Sequence, residues 1–185
     1  MEDNNSSDKV EIIDNVSSRY WQQFKELRLG AIQENPAFVG LTFDFEEERT
    51  QDFYQNALNG SWNGSTCWLV FARNNNKRDF IAMAGALQLN GNIPTRNHVA
   101  EIISFYIKPE FRKTNVPQQV MQALFDKLKK TEITQTQVWV NQDDKETIWS
   151  HEKSGFNICG SFKNDVVVDG ISYNSVTMEK HIEKD

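Results

Sequence analysis

The sequence predicts a single mixed α/β (α+β) domain, whose mostly antiparallel central sheet is flanked by helices. First, the chain has 185 residues, an ordinary length for one compact domain. Second, helical and strand-like patterns follow one another in the order β-α-α-β-β-β-α-β-α-β-β. Third, turn signals at Asn90-Gly91 and Asp169-Gly170 join neighbouring strands, which favours antiparallel pairing over a doubly wound parallel sheet.

The N-terminal third predicts a short edge strand followed by two helices. The strand covers the apolar residues 10–13, and the first helix follows Ser17-Ser18. The repeating face of that helix, at spacings of three and four, consists of Trp21, Phe24, Leu27, Arg28 and Ala31. Asn35-Pro36 ends it, because the residue before a proline avoids helical angles. A second helix is predicted over residues 46–58.

Six strands and two helices are predicted over the rest of the chain. The strands cover residues 66–73, 79–89, 98–107 and 135–140, and a hairpin within residues 159–180. The helices cover residues 116–130 and 144–153, and Gly155 ends the second. The predicted core face of the first of these helices contains Val120, Met121, Leu124, Phe125 and Leu128.

Charge and composition argue against several kinds of partner. The chain carries 20 Lys and Arg against 26 Asp and Glu, and its net charge of −6 disfavours nucleic-acid binding. No apolar stretch is long enough to predict a membrane-spanning helix. Residues 1–9 are polar and lack the apolar run of a signal peptide. We therefore expect a cytoplasmic protein with a disordered tail over residues 1–9 and one domain over residues 10–185.

The cysteines and histidines do not predict a metal site. Cys67 and Cys159 stand alone in the sequence, and His98, His151 and His181 are scattered. None of these spacings matches a metal-ligand pattern, so we expect two free thiols in a reducing compartment and no metal.

The segment over residues 103–121 reads as a strand, a short loop and a helix, and it carries the most chemical information. A loop that opens directly into a helix leaves backbone N–H groups free at the helix start, where the helix dipole also favours an anion. Arg112 and Lys113 add positive charge there, and Pro117 suits a first helical turn. The segment therefore favours an anion such as a pyrophosphate, and the alternative is a well-capped helix start without a ligand.

This segment resembles the acetyl-CoA binding segment of the GNAT superfamily of N-acetyltransferases. In that family a strand ends in hydrophobic-x-Pro-x-aromatic-Arg, which residues 107–112 match as Ile-Lys-Pro-Glu-Phe-Arg. The glycine-rich loop that follows in the family is changed here, since Asn115 and Pro117 stand at its two glycine positions. Three further segments resemble the family, so that the likeness extends over residues 10–182: residues 26–31 its first helix, residues 138–156 its later strand–helix block, and residues 173–180 its closing strand.

The resemblance implies acetyl-CoA as cosubstrate and a defined set of residues that would bind it. Backbone groups of Phe105, Tyr106 and Ile107 would hold the pantetheine arm, although their alternation also fits simple packing. The pyrophosphate loop would comprise Arg112, Lys113, Thr114, Asn115, Val116 and Gln118. Asp144 falls where the family often has an Asn that contacts the cofactor.

Two residues are candidates for proton transfer by the same resemblance. Glu101 lies early in the strand where the family often has a general base, and a partly apolar cleft would raise its pKa. His151 lies four residues before Gly155, where the family often has a Tyr that acts as general acid. With an ordinary pKa, the His151 imidazolium could protonate a leaving thiolate. The alternatives are an exposed strand glutamate and a surface histidine.

The region between the first two helices would help to form the acceptor site in this family. Here it contains Phe38, Phe43, Asp44 and Phe45, followed by the acidic run Glu46-Glu47-Glu48. Acidic groups would attract a cationic amine, or they stabilise the start of the second helix through its dipole while the aromatic rings pack.

The function implied is transfer of an acetyl group from acetyl-CoA to a primary amine by direct attack. The acceptor is expected to be a cationic amine, either a small molecule or a peptide or protein amine, and a homodimer is possible. The alternative is a catalytically degenerate protein of the same fold that binds CoA or a protein partner. The missing loop glycines and the missing Tyr favour that alternative.

Overall fold

The computed structural model describes residues 10–35, 42–88 and 94–184. The predicted tail over residues 1–9 and the turn at Asn90-Gly91 lie outside these ranges. The strands of the described residues are β1 Val10–Ile13, β2 Ser61–Trp62, β3 Ser65–Asn74, β4 Asp79–Gln88, β5 Val99–Ile107, β6 Gln135–Asn141, β7 Asn157–Val168 and β8 Ile171–His181. The α-helices are α1 Trp21–Glu34, α2 Phe43–Glu47, α3 Gln51–Leu58, α4 Val116–Lys129 and α5 Lys145–Lys153.

The strands form one mixed sheet in the order β1-β3-β4-β5-β6-β8-β7, with β2 added beside β3. Every neighbouring pair is antiparallel except β5 and β6, which run parallel. The crossover between these two parallel strands contains α4, as a parallel connection requires. The predicted mixed, mostly antiparallel fold is confirmed.

Helices cover both faces of this sheet and bury two apolar clusters. On one face, α4 buries the five residues that its helical spacing predicts, from Val120 to Leu128. On the other face, Phe24 of α1 packs edge-on against Tyr54 of α3 and against Phe71 of β3, with ring centroids 5.5 and 5.2 Å apart. The sheet is therefore sandwiched between helices that pack on both of its faces.

The prediction of one helix over residues 46–58 is wrong. The chain forms two helices there, because two threonines provide separate N-caps. The Thr42 hydroxyl accepts a hydrogen bond from the Phe45 N–H, and the Thr50 hydroxyl accepts one from the Phe53 N–H, both at 3.3 Å. The break between α2 and α3 directs Glu46 into the protein interior, where its side chain is fully buried.

The hairpin predicted at Asp169-Gly170 is confirmed, and it joins β7 to β8. Both turn residues have positive φ angles, 51° at Asp169 and 78° at Gly170, as a type I′ turn requires. The two long strands continue past the end of β6, so that the hairpin forms one wall of the cleft described next.

Candidate functional site

The site is a cleft that opens where β5 and β6 separate. The two strands pair over only three residues each, Val99–Glu101 with Gln135–Gln137. Beyond that point β5 continues to Ile107 and β6 to Asn141 without pairing to each other. Backbone groups on these strand edges are therefore available to a ligand. A cavity of about 230 Å³ lies in the gap between the two strands.

The cavity wall combines acidic, polar and apolar side chains. Three carboxylates line it, from Glu101, Asp144 and Asp165, and none of its lining residues within the described ranges is Lys or Arg. Val138 and Val140 contribute part of the apolar surface. The arrangement suits a ligand that has an apolar portion and a positive charge.

Glu101 lies at the base of the cleft, in the last pair that joins β5 to β6. It is half-buried, and its carboxylate makes no hydrogen bond or ion pair with the described residues. Burial without a compensating partner raises the pKa of Glu101 above its usual value of 4.5. A carboxylate with a raised pKa is a better proton acceptor, which is the chemistry that the sequence resemblance implies for this position.

His151 lies on α5 and is almost completely buried, with 1% of its surface exposed. Its ring contacts Phe105 at 4.7 Å and Phe156 at 5.1 Å between centroids, and its Nδ1 atom has no hydrogen-bond partner among the described residues. Burial lowers the pKa of His151 to about 4, so the imidazole is neutral at pH 7. The structure therefore differs from the ordinary histidine pKa assumed for an acid at this position, and the catalytic role of His151 stays a prediction.

The three strand residues that the resemblance assigns to the cofactor lie beside the cleft. Phe105 lines the main cavity, and Phe105, Tyr106 and Ile107 all line a smaller, adjoining depression near α4. The Tyr106 hydroxyl donates a hydrogen bond to Glu34 of α1 at 2.8 Å. This hydrogen bond links the end of α1 to β5.

Arg112, predicted to bind the pyrophosphate, is held by two carboxylates in the structure. Its guanidinium forms an ion pair with Glu34 and a longer one with Glu146 at 3.6 Å, and its Nε donates to the Ile107 carbonyl at 2.9 Å. Burial alone would lower the pKa of Arg112, but the Glu34 carboxylate outweighs it and raises that pKa. An anionic ligand would have to compete with both carboxylates for this arginine.

The loop before α4 keeps some of its backbone donors and uses others internally. The Thr114 N–H donates to the Phe111 carbonyl at 3.2 Å, and the Val116 N–H donates to the Thr114 hydroxyl at 3.2 Å. The N–H groups of Lys113, Asn115 and Gln118 make no hydrogen bond with the described residues. Three donors at the start of α4 therefore remain for an anion, fewer than the sequence alone indicates.

Asp144 has two structural partners in addition to its place on the cavity wall. One carboxylate oxygen caps α5 by accepting the Thr147 N–H at 3.0 Å, and the other accepts a hydrogen bond from the Asn35 amide at 3.1 Å. Asn35 follows the last residue of α1, so this contact links the end of α1 to the start of α5 at the cavity wall. Because Glu34 and Asn35 are consecutive residues, the hydrogen bond from Asn35 to Asp144 lies next to the ion pair between Glu34 and Arg112.

The predicted acceptor residues do not come together at the cavity. Phe43, Asp44 and Phe45 lie on α2, and none of them lines the cleft. Asp44 is exposed, and 53% of the Phe45 surface is exposed beside Arg49. Phe38 lies outside the described residues.

Several cavity residues were not identified from the sequence. Asn35 reads only as a helix end, and Asp165 and Ser175 lie in hairpin strands whose pattern gives no chemical signal. Asp165 accepts a hydrogen bond from the Ser175 hydroxyl, which fixes its carboxylate on the cavity wall. The pairing of β7 with β8 brings Asp165 and Ser175 to the site.

A metal-binding cluster and a membrane-spanning helix are both absent from the described residues. Within residues 10–35, 42–88 and 94–184, no cluster of His, Cys, Asp or Glu side chains could hold a metal ion. No helix in the same ranges combines the length and apolar character needed to cross a membrane.

Comparison with known proteins identifies this architecture. The sequence model of the acetyltransferase (GNAT) family matches residues 27–156, whereas no curated protein sequence matches the chain. A GNAT-family acetyltransferase from Streptococcus pneumoniae superposes with a TM-score of 0.77 at 13% identity, covering 95% of this chain and 100% of the other.

Two other solved structures share the fold. A phosphinothricin acetyltransferase from Sinorhizobium meliloti, in complex with acetyl-CoA, gives a TM-score of 0.75 at 18% identity over 94% of this chain and 88% of its own. A ribosomal-protein-alanine N-acetyltransferase from Brucella melitensis gives 0.72 at 14% identity over 92% and 99%. At these identities the structural likeness establishes the fold.

Proposed function

Because this chain belongs to the acetyltransferase (GNAT) family, we propose that it transfers the acetyl group of acetyl-CoA to a cationic primary amine in the β5/β6 cleft. The observation that carries the proposal is Glu101, a half-buried carboxylate of raised pKa at the base of a cavity bordered by unpaired strand edges.

The residues at one end of the cleft fit the anionic part of acetyl-CoA in part. The free N–H groups of Lys113, Asn115 and Gln118 suit a pyrophosphate, and the Lys113 side chain is exposed beside them. Arg112 can add its charge only after it leaves Glu34 and Glu146. Solved acetyltransferases of this fold include one from Sinorhizobium meliloti that contains acetyl-CoA, which supports the same ligand here.

The proposed reaction needs one proton acceptor and a site for negative charge. Glu101 accepts a proton from the ammonium group, directly or through water, and frees the nitrogen lone pair. The amine nitrogen then bonds to the thioester carbonyl carbon, and the bond from that carbon to sulfur breaks. Unpaired N–H groups on the β5 edge stabilise the charge that develops on the carbonyl oxygen.

The leaving thiolate needs a proton or a hydrogen bond at the same time. His151 is neutral at pH 7, so we assign it a hydrogen bond to the sulfur rather than delivery of a proton from an imidazolium. As the bond to sulfur breaks, the acetylated nitrogen loses its second proton, which passes through water to the thiolate, and Glu101 returns the first proton to solvent. Atoms and charges balance with acetyl-CoA and amine as reactants and acetylated amine and CoA as products.

The acceptor is proposed to be cationic because of the charges on the cleft wall. Glu101, Asp144 and Asp165 carry carboxylates, and no described lining residue is a Lys or Arg that would offset them. This distribution favours diamines, or lysine-like amines, over amines that carry a carboxylate. It moves the expected source of acceptor charge from Asp44 on α2 to the cavity itself.

An assay of CoA thiol release over a panel of amines tests the function. The panel contains a diamine, a neutral amino alcohol of equal length, a free amino acid and a peptide with an N-terminal alanine. We expect the highest kcat/KM for the diamine. Binding of acetyl-CoA by calorimetry without turnover of any amine would instead support a CoA-binding protein without transferase activity.

A further inference from the structure

A left-handed residue interrupts β5 inside the cleft. Ser104 has a φ of 55°, which is uncommon for a residue other than glycine and unusual within a strand. The register with β4 shifts at the same place, between Met83 and Gly85, so Ser104 lies at a β-bulge. It comes three residues after Glu101 and lines the cavity. The bulge therefore lies in the part of β5 that lines the cleft.

The Ser104 side chain is held by a fully buried arginine. Arg28 of α1 donates from Nη1 to the Ser104 hydroxyl at 2.5 Å, and 1% of the Arg28 surface is exposed. Arginine is almost never buried this completely unless it is paired. The contact joins α1 to β5 across 76 residues of sequence.

Glu46 fixes Arg28 in the orientation that reaches Ser104. It accepts two hydrogen bonds from Arg28, one from Nε and one from Nη2 at 3.1 Å, which leaves Nη1 for Ser104. The Tyr54 hydroxyl donates a hydrogen bond to the same carboxylate at 2.8 Å, and the Nε atom of Arg49 lies 3.0 Å from one of its oxygens. Burial alone would raise the pKa of Glu46, but Arg28, Tyr54 and Arg49 outweigh it and hold that pKa below its usual value. The carboxylate is therefore charged and committed to this network.

We propose that Arg28 is a positioning residue for the acetyl-transfer reaction, which holds the left-handed bulge at Ser104 through a side-chain hydrogen bond. A bulge re-aims the backbone groups of a strand next to an active site. Here it sets the direction of the β5 groups that face the thioester, and Glu46 sets the direction of Arg28. This inference rests on the proposed function for its effect on the rate, and on geometry alone for its effect on the backbone.

Two substitutions at Ser104 separate the proposed role from other roles of the hydroxyl. Ser104→Ala removes the acceptor of the hydrogen bond and keeps the cost of a left-handed backbone. Ser104→Gly also removes the acceptor but adopts that backbone freely. Both leave the pair of Arg28 and Glu46 intact, whereas Arg28→Ala would strand a buried carboxylate and could unfold the protein.

The expected result is a large difference between these two variants. We expect kcat of Ser104→Ala to fall about tenfold or more and that of Ser104→Gly to stay within about threefold of the parent, with the KM for the amine little changed. Equal losses would mean that the hydroxyl itself acts in the reaction, and no loss in either variant would remove the hydrogen bond from consideration. Both results overturn the proposal.

Ser175 provides the matched control. It is another cleft serine with a side-chain hydrogen bond, but it lies in β8 and does not have a positive φ. At this position glycine has no conformational advantage, so Ser175→Gly should be no more active than Ser175→Ala. A glycine advantage at both positions would contradict the assignment to Ser104.

A structural readout decides the proposal even if the parent protein transfers no acetyl group. Crystal structures of the two Ser104 variants should show a left-handed residue 104 in the glycine variant and an extended residue 104, with altered register to β4, in the alanine variant. A left-handed residue 104 in Ser104→Ala, with the β5 backbone unchanged, would overturn the positioning role. Absence of turnover in the parent would contradict the proposed function alone.

Discussion

Glu101 of β5 and Gln137 of β6 form the last pair between these two parallel strands, and the cleft begins directly beyond them. The half-buried carboxylate thus lies where the sheet opens, beside strand edges with unpaired backbone groups. This relationship places a candidate proton acceptor and candidate hydrogen-bond donors on one strand.

Glu101→Gln should slow acetyl transfer by about 100-fold while leaving the affinity for acetyl-CoA nearly unchanged, because general bases contribute rate rather than cofactor binding. In the parent, the logarithm of kcat/KM should rise with pH along one limb of the profile, because Glu101 accepts a proton only when it is deprotonated. This limb should lie above pH 4.5, since burial raises the pKa of Glu101. The variant should lack this limb. Steady-state kinetics and calorimetric titration with acetyl-CoA measure the two effects.

Two amines of different pKa provide the control for this profile, because the free amine also titrates. The limb assigned to Glu101 should stay at the same pH with both amines, whereas the limb of the substrate should move. Equal rates for Glu101→Gln and the parent would remove Glu101 from the mechanism.

His151 should make the protein less stable in mild acid. The unfolded chain takes up a proton at this histidine near pH 6.5, whereas the folded protein keeps it neutral down to about pH 4. The free energy of unfolding should therefore fall as the pH decreases from 6.5 to 4, with about 3 kcal/mol attributable to His151. Urea unfolding of the parent and of His151→Asn at several pH values measures the difference in slope.

The exposed His181 carries the matched control variant, His181→Asn, which makes the same substitution outside the protein interior. A parental slope in His151→Asn would show that the His151 ring is protonated in the folded protein, and it would restore this residue as a candidate acid.

Glu34 should limit the affinity for acetyl-CoA. Its carboxylate holds Arg112 by an ion pair and would repel a pyrophosphate at the start of α4. Glu34→Gln should therefore bind acetyl-CoA several-fold more tightly at low salt, and the gain should shrink at high salt. Calorimetric titration measures it, with the exposed Glu110→Gln as a control of equal charge change. Weaker binding in Glu34→Gln would mean that Glu34 orients Arg112 for the cofactor.

Asp165 and Asp44 distinguish the two candidate locations of the acceptor. Asp165 lies on the cavity wall, whereas Asp44 lies exposed on α2 outside it. We expect Asp165→Asn to raise the KM for a diamine about fivefold or more with a smaller effect on kcat, because it removes a counter-charge. Asp44→Asn should leave KM within about twofold. The reverse order would place the acceptor at α2, as the sequence interpretation has it.

The periodic elements could be predicted from the sequence because their signals are local. The face of α4 from Val120 to Leu128 is buried as its spacing indicates, and the turn at Asp169-Gly170 has the φ angles that its residues favour. The helix break at Thr50 was missed, since the acidic run before it is also compatible with a continuous helix. Its capping hydroxyl is a weak signal in one sequence.

The site could be predicted only where it follows one segment. The start of α4 and the strand of Glu101 lie within a continuous stretch, so their proximity follows from sequence order. Arg28 reads as part of a helix face, and nothing local shows that it pairs with Glu46 or reaches Ser104. Likewise the burial of His151 between Phe105 and Phe156 depends on the packing of α5 on the sheet, which no spacing encodes.

Acetyl transfer in the cleft is tested by the release of CoA thiol from acetyl-CoA in the presence of a diamine, followed by mass spectrometry of the amine. We expect stoichiometric thiol and acetylated diamine with the parent protein, and a rate about 100-fold lower with Glu101→Gln. Acetyl-CoA that binds without forming either product, across the whole panel of amines, would contradict acetyl transfer in the cleft.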